Sequence, residues 1–159
     1  MEISKRLIVV KNVMQKKSDI IVHTDGASRG NPGPAAIGVV LEGPEIEKKI
    51  YCECIGKATN NVAEYKAIIF GLKKIKQLVG NKKSAGSSVH VYMDSELIAH
   101  QLNGRYKVKE SNIQELFLEL WNLRLDFENV VFEHVTRDKN READKMANYA
   151  LDKEENKLL

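Results

Sequence analysis

The chain has 159 residues and 18.0 kDa, enough for one hydrophobic core, and 43% hydrophobic with 30% charged residues marks it as globular rather than disordered. The 25 Lys and Arg against 22 Asp and Glu leave a formal charge of +3, which admits a polyanionic partner without demanding one. Two cysteines cannot staple a fold, no apolar run reaches the roughly 18 residues of a membrane span, and apolar residues 7–10 are too short for a secretory signal, so a cytoplasmic protein with no membrane partner is expected. Residues 1–18 read as an extension, with 7–10 a candidate edge strand ahead of a basic and polar run, and residues 19–159 as the working domain.

Within that domain Ile20, Val22 and Thr24 alternate with Ile21, His23 and Asp25, the pattern of a strand covered on both faces. It is expected to end at Gly26, in the dense turn signal of residues 26–34. Residues 36–41 and 46–55 predict two further strands around Gly43-Pro44, and the short connections imply an antiparallel meander. The period then changes to 3.6: Tyr65, Ile68, Ile69, Leu72, Ile75 and Val79 share one side of a helix over 61–79, with Thr59, Asn60 and Asn61 offering cap chemistry. Residues 80–88 read as a polar loop and Val89, Val91 and Met93 as a strand. A short helix capped by Asp94 or Ser95 runs to about Leu102, and a basic connection follows over 103–109. Residues 113–125 predict an amphipathic helix with Leu116, Phe117, Leu120 and Leu123 inward and Trp121 packed; residues 129–135 a last strand; residues 140–153 a final helix. Strands first, then helices interleaved with two more strands, predict an α/β fold in which a five-stranded mixed sheet, three strands antiparallel and then two parallel, is flanked by helices.

Four carboxylates sit where solvent-facing acids usually do not. Asp25 and Asp94 each end an apolar strand. Glu64 lies four residues before Ile68 at the margin of the apolar stripe, and Asp144 lies three before Ala147 and seven before Leu151 on the packed side of the last helix. A carboxylate aimed at a core is costly unless paired or bound to metal, and oxygen-only ligands suit Mg²⁺ or Mn²⁺. Each also has an ordinary reading: a turn residue, a helix cap, a first-turn dipole partner and a surface acid. No Cys/His cluster suggests zinc, and neither GxGxxG nor GxxxxGK[ST] is present.

Four segments in order resemble type 1 ribonuclease H over about residues 20–151: Thr24-Asp25-Gly26-Ala27-Ser28-Arg29-Gly30-Asn31-Pro32-Gly33-Pro34-Ala35; Ala58-Thr59-Asn60-Asn61-Val62-Ala63-Glu64-Tyr65; Met93-Asp94-Ser95; and Asn140-Arg141-Glu142-Ala143-Asp144. The resemblance is to the compact members that lack a basic protrusion. It implies that Asp25, Glu64, Asp94 and Asp144 meet and hold two Mg²⁺ or Mn²⁺ ions, and that a monomer hydrolyses the RNA strand of an RNA–DNA hybrid to 5′-phosphate and 3′-hydroxyl ends. It further implies substrate contacts from Gly26, Ser28, Arg29, Gly30, Thr59 and Asn60, with Arg105 and Lys107 of the basic connection holding the DNA strand. Many members carry a histidine on the loop before the last catalytic helix. Residues 135–140 here contain none, and Arg137 is the candidate auxiliary group. Rival expectations are a related nuclease that also cuts double-stranded RNA, the ribonuclease part of a reverse-transcriptase-like system, a catalytically weak hybrid-binding module, and a structural protein with chance motifs.

Overall fold

In a computed structural model, which describes residues 19–158, the chain forms one five-stranded sheet in the order β3-β2-β1-β4-β5, matching the expected mixed architecture. The strands are β1 (Ile20–Ser28), β2 (Gly33–Gly43), β3 (Ile46–Ala58), β4 (Ser88–Met93) and β5 (Asn129–His134). The helices are α1 (Asn60–Val79), α2 (Asn81–Ala85), α3 (Glu96–Leu102), α4 (Ser111–Arg124) and α5 (Arg141–Lys157), the last entered through a 3₁₀ turn at Arg137–Asn140. The candidate edge strand over 7–10 lies outside the described residues.

The hydrophobic pattern explains the layers. Ile20, Val22 and Thr24 of β1, Val39 and Leu41 of β2, and Val89, Val91 and Met93 of β4 are buried, and they pack with Tyr65, Ile68, Leu72 and Ile75 of α1. Thr59 supplies the cap of α1, its hydroxyl accepting from the Val62 N–H at 3.2 Å. Ser95 does the same for α3, accepting from the Ile98 N–H at 3.3 Å. The other face of β2, β1 and β3 carries α5, whose buried side chains are mostly small: Ala143, Ala147, Ala150 and Leu151.

Several local expectations are corrected. β1 does not stop at Gly26, because Gly26, Ala27 and Ser28 continue the ladder against Ile37, Ala36 and Ala35, and pairing to β2 outweighs the turn propensity of the sequence. The polar loop contains α2, with the buried Ser84 hydroxyl donating to the Gly80 carbonyl at 2.7 Å. Leu116 and Phe117 are half-buried and pack against the core as expected. Trp121 is 42% exposed, lying beyond the α4 face formed by Ile113, Leu120 and Leu123, with the Arg124 guanidinium 4.0 Å from its ring centroid.

Two glycines decide how closely the helices approach the sheet. A Cβ on Gly26 would lie 2.2 Å from the Ala63 carbonyl carbon and 2.3 Å from the Glu64 nitrogen, and one on Gly38 would lie 2.1 Å from the Ala143 carbonyl oxygen. Gly38→Ala must therefore push α5 off the sheet. A loss of about 1–3 kcal/mol in a urea melt is expected, as for other overpacked sites, whereas Gly86→Ala, whose added carbon meets nothing closer than 3.8 Å, should lie within about 0.5 kcal/mol of the parent.

Candidate active site

The parallel pairing of β1 and β4 places two of the carboxylates. Their register runs to His23 opposite Tyr92, and Asp25 and Asp94 both lie two residues further on, so they stand side by side just past the end of the β1–β4 pairing. Glu64 reaches them because Gly26 lets the first turns of α1 come against β1. Asp144 arrives from the opposite helix layer, because Gly38, the partner of Asp25 in the β1–β2 ladder, lets α5 down onto the sheet. Asn140 secures that approach: its Nδ2 donates to the Thr24 carbonyl at 2.9 Å, tying the start of α5 to the residue before Asp25.

Asp25, Glu64 and Asp94 each offer a carboxylate oxygen within 4.8 Å of the other two. Asp25 is 4% exposed and Glu64 8% exposed, far below what ionised carboxylates tolerate alone. Asp144 stands slightly apart and half-buried, 3.8 Å from the exposed Arg137 guanidinium, and its Oδ1 accepts from Asn148 Nδ2 at 3.2 Å. Burial, with the Asp94 charge next, pushes the Asp25 carboxyl up to about 8. Burial and then the Asp25 charge hold Glu64 well above the usual carboxylate range. Burial also raises Asp94, with Arg137 opposing and Asp144 adding to the rise. Glu64 Oε2 is buried with no hydrogen-bond partner among the described residues. An orphaned buried carboxylate oxygen inside an all-oxygen donor set is the environment a hard divalent cation fits.

These groups line an open cavity of about 490 Å³ whose walls also include Gly26, Ser28, Asn60, Ser95, Arg137 and Asn148. The rim is stiffly built. The Ser28 N–H donates to Asn60 Oδ1 at 3.0 Å and its hydroxyl to the Ala58 carbonyl at 2.7 Å, while the Asn60 N–H donates to Asn31 Oδ1 at 3.0 Å. Of the candidate substrate residues, Gly26, Ser28 and Asn60 line the cavity. Gly30 sits in the adjoining turn with φ +108°, and Thr59 spends its hydroxyl on the α1 cap. Arg29 points away into ion pairs with Asp152 and, at 2.6 Å, Glu155 on α5. Lys107 lines a separate groove beside the N-terminus of α1, whereas Arg105 is exposed and lines neither. Ser95 and Asn148 are cavity residues that sequence reasoning did not assign to the site. The i, i+4 spacing of Asp144 and Asn148 on a helix was the available signal for the second.

Comparison with known proteins agrees with this geometry. A family model described as reverse transcriptase-like matches residues 23–150. Ribonuclease HI of Halobacterium salinarum is 36% identical over 133 residues, covering 82% of this chain and 63% of that protein. The bifunctional protein Rv2228c of Mycobacterium tuberculosis is 38% identical over 138 residues, and the match spans 84% of this chain but only 35% of that longer protein. Among solved structures, LC11-RNase H1 in complex with RNA/DNA hybrid superposes with a TM-score of 0.78 at 42% identity, covering 85% of this chain and 98% of that one. No helix among the described residues is long and apolar enough to cross a membrane. Fold, carboxylate arrangement and matches together establish that this chain belongs to the ribonuclease H branch of the reverse-transcriptase-like family, in the compact type 1 form.

Proposed function

We propose that the protein hydrolyses the RNA strand of RNA–DNA hybrids endonucleolytically, leaving 5′-phosphate and 3′-hydroxyl ends. The observation that carries this reading is the trio Asp25, Glu64 and Asp94, two of them buried, with Asp144 beside it, at the floor of an open cavity. Asp25, Glu64, Asp94 and Asp144 would together hold two divalent cations, Mg²⁺ or Mn²⁺. When bound, such ions activate a water, neutralise charge at phosphorus and stabilise the departing 3′ oxygen.

The chain's own residues do the positioning. Asp25, held within β1 by its pairing to Gly38 of β2, fixes where the donor set it forms with Glu64 and Asp94 would present its cations to a phosphate. Gly26, Ser28, Gly30 and Asn60 present backbone and small polar groups to a shallow, hydroxyl-bearing groove, which suits RNA recognition by shape and 2′-hydroxyl contacts. Thr59 supports this edge through the α1 cap, and Arg29 would contribute by leaving its pairing with Asp152 and Glu155 for phosphate. Lys107 and Arg105 hold the second strand electrostatically. Arg137, exposed and 3.8 Å from Asp144, takes the place of the missing loop histidine, helping the phosphate product leave.

Asp25→Asn should abolish cleavage of a labelled RNA–DNA hybrid in Mg²⁺ or Mn²⁺ while leaving the far-ultraviolet spectrum unchanged. Full activity in that variant would remove the assignment. Run beside it, RNA–RNA and DNA–DNA duplexes should stay intact, and cutting of RNA–RNA would favour the broader nuclease.

Charge crowding gives a second expectation. The Asp25 carboxyl is raised in the folded state, so its contribution to stability is complete below about pH 4 and is lost as pH rises towards about 8. Metal-free protein should therefore melt at progressively lower temperature across that window, with Asp25→Asn flattening the slope. Mg²⁺ added at pH 8 should raise the parent's midpoint by about 3 °C or more. A parent midpoint indifferent to both pH and Mg²⁺ would show that the carboxylates are not strained together.

A further inference from the structure

The N-terminus of α1 divides two cavities. Asn60 faces the carboxylates, and the next residue, Asn61, faces a groove of about 590 Å³ lined also by Leu97, Gln101, Tyr106, Lys107 and Ile113. Gln101 of α3 touches two environments at once. Its side chain borders the groove, yet its Oε1 accepts a 2.8 Å hydrogen bond from the Tyr65 hydroxyl, and Tyr65 is 0% exposed. A phenol buried this deeply needs an acceptor for its proton. The carbonyl end of the Gln101 amide supplies one, whereas the reversed amide would donate to the phenol oxygen and leave the phenol's proton without an acceptor among the described residues. The orientation of the amide is therefore decided from inside the core. With Oε1 committed to Tyr65, Nε2 occupies the other branch of the same planar group, and it has no hydrogen-bond partner among the described residues. Lys107 and Lys109 stand on the same groove. An oriented, unspent amide donor beside two cations, which outnumber the single groove carboxylate of Glu110, complements a strand rich in acceptors and negative charge.

We propose that Gln101 is a substrate-contacting residue whose Nε2, oriented by the Tyr65 hydroxyl, donates to an acceptor on the strand opposite the one at the carboxylates. The assignment rests on the hybrid-cleaving reading of the site and adds to it a neutral contact alongside the electrostatic ones. Because Tyr65 directly follows Glu64 on α1, the same hydrogen bond ties the groove wall to the helix that delivers a metal-binding carboxylate.

Gln101→Glu separates the two roles of the side chain, since it keeps an acceptor for Tyr65 and replaces the donor with a negative oxygen. The test is equilibrium binding of a fluorescent RNA–DNA hybrid to the full chain carrying Asp25→Asn, with Mg²⁺, alongside melting temperatures. Gln101→Glu should weaken binding about tenfold or more with little change in melting temperature. Gln101→Leu should weaken binding about three- to tenfold, and Tyr65→Phe, which keeps the donor but frees its orientation, by about two- to threefold. Tight binding by the Asp25→Asn parent with Gln101→Glu within twofold of it would overturn the role of Gln101 and leave the site reading standing. No hybrid binding by the parent would overturn both.

Discussion

Everything distinctive in this molecule turns on the cost of holding carboxylates together out of water. Three acids with oxygens within 4.8 Å of one another, two of them nearly inaccessible, repel each other and lose hydration at the same time. The upward shifts of the Asp25, Glu64 and Asp94 carboxyls express that cost, and the unpartnered Glu64 Oε2 shows that the local hydrogen bonds do not fully offset it. A hard cation would remove both difficulties and so would couple ligand binding to folding through the same oxygens.

The scaffold meets this constraint from two sides. The parallel pairing of β1 and β4 brings Asp25 and Asp94 into line where it ends, and helices on opposite faces of the sheet add Glu64 and Asp144. Neither helix could come so close over an ordinary side chain: Gly26 admits the backbone of α1, and Gly38 admits that of α5. The alanine-rich inner face of α5 continues the same logic, exchanging buried area for proximity. Asn140, bonded to the Thr24 carbonyl, then fixes the end of α5 that carries Asp144.

Around this centre the polar surface is arranged in tiers of differing rigidity. Ser28, Asn31 and Asn60 brace one another through short-range hydrogen bonds, giving the cavity a stiff rim. Arg29 is instead held by exposed acids on α5, a contact that water and salt weaken and that a polyanion can replace. Arg137 is more exposed still. Its tie to Asp144 is long, which leaves the side chain able to follow a phosphate. The order of firmness, from core carboxylates to braced rim to exposed cations, suits the proposed reading of a site that positions chemistry precisely and takes up a polyanion electrostatically.

The order of the strands and longer helices was legible in the sequence, though not the short α2, because alternation in β1 and the 3.6-residue stripe of α1 are local consequences of which side chains must leave water. The four carboxylates were legible too, partly from their place at apolar margins and decisively from the motifs around them. Other features lay beyond one-dimensional reach. That β1 runs on through Ser28 depends on hydrogen bonds to β2, and that Trp121 stays exposed depends on which face of α4 meets α1. Arg29 pairs with Asp152 and Glu155 only because α5 crosses the sheet beside the glycine-rich turn, and Gln101 meets Tyr65 only because α3 packs against α1. By itself the sequence determined the elements and the chemical identity of the site, since both are set by side-chain type and spacing. Tertiary structure alone decided which of those side chains touch, because contacts between residues dozens of positions apart follow from how layers pack and have no signature in local spacing.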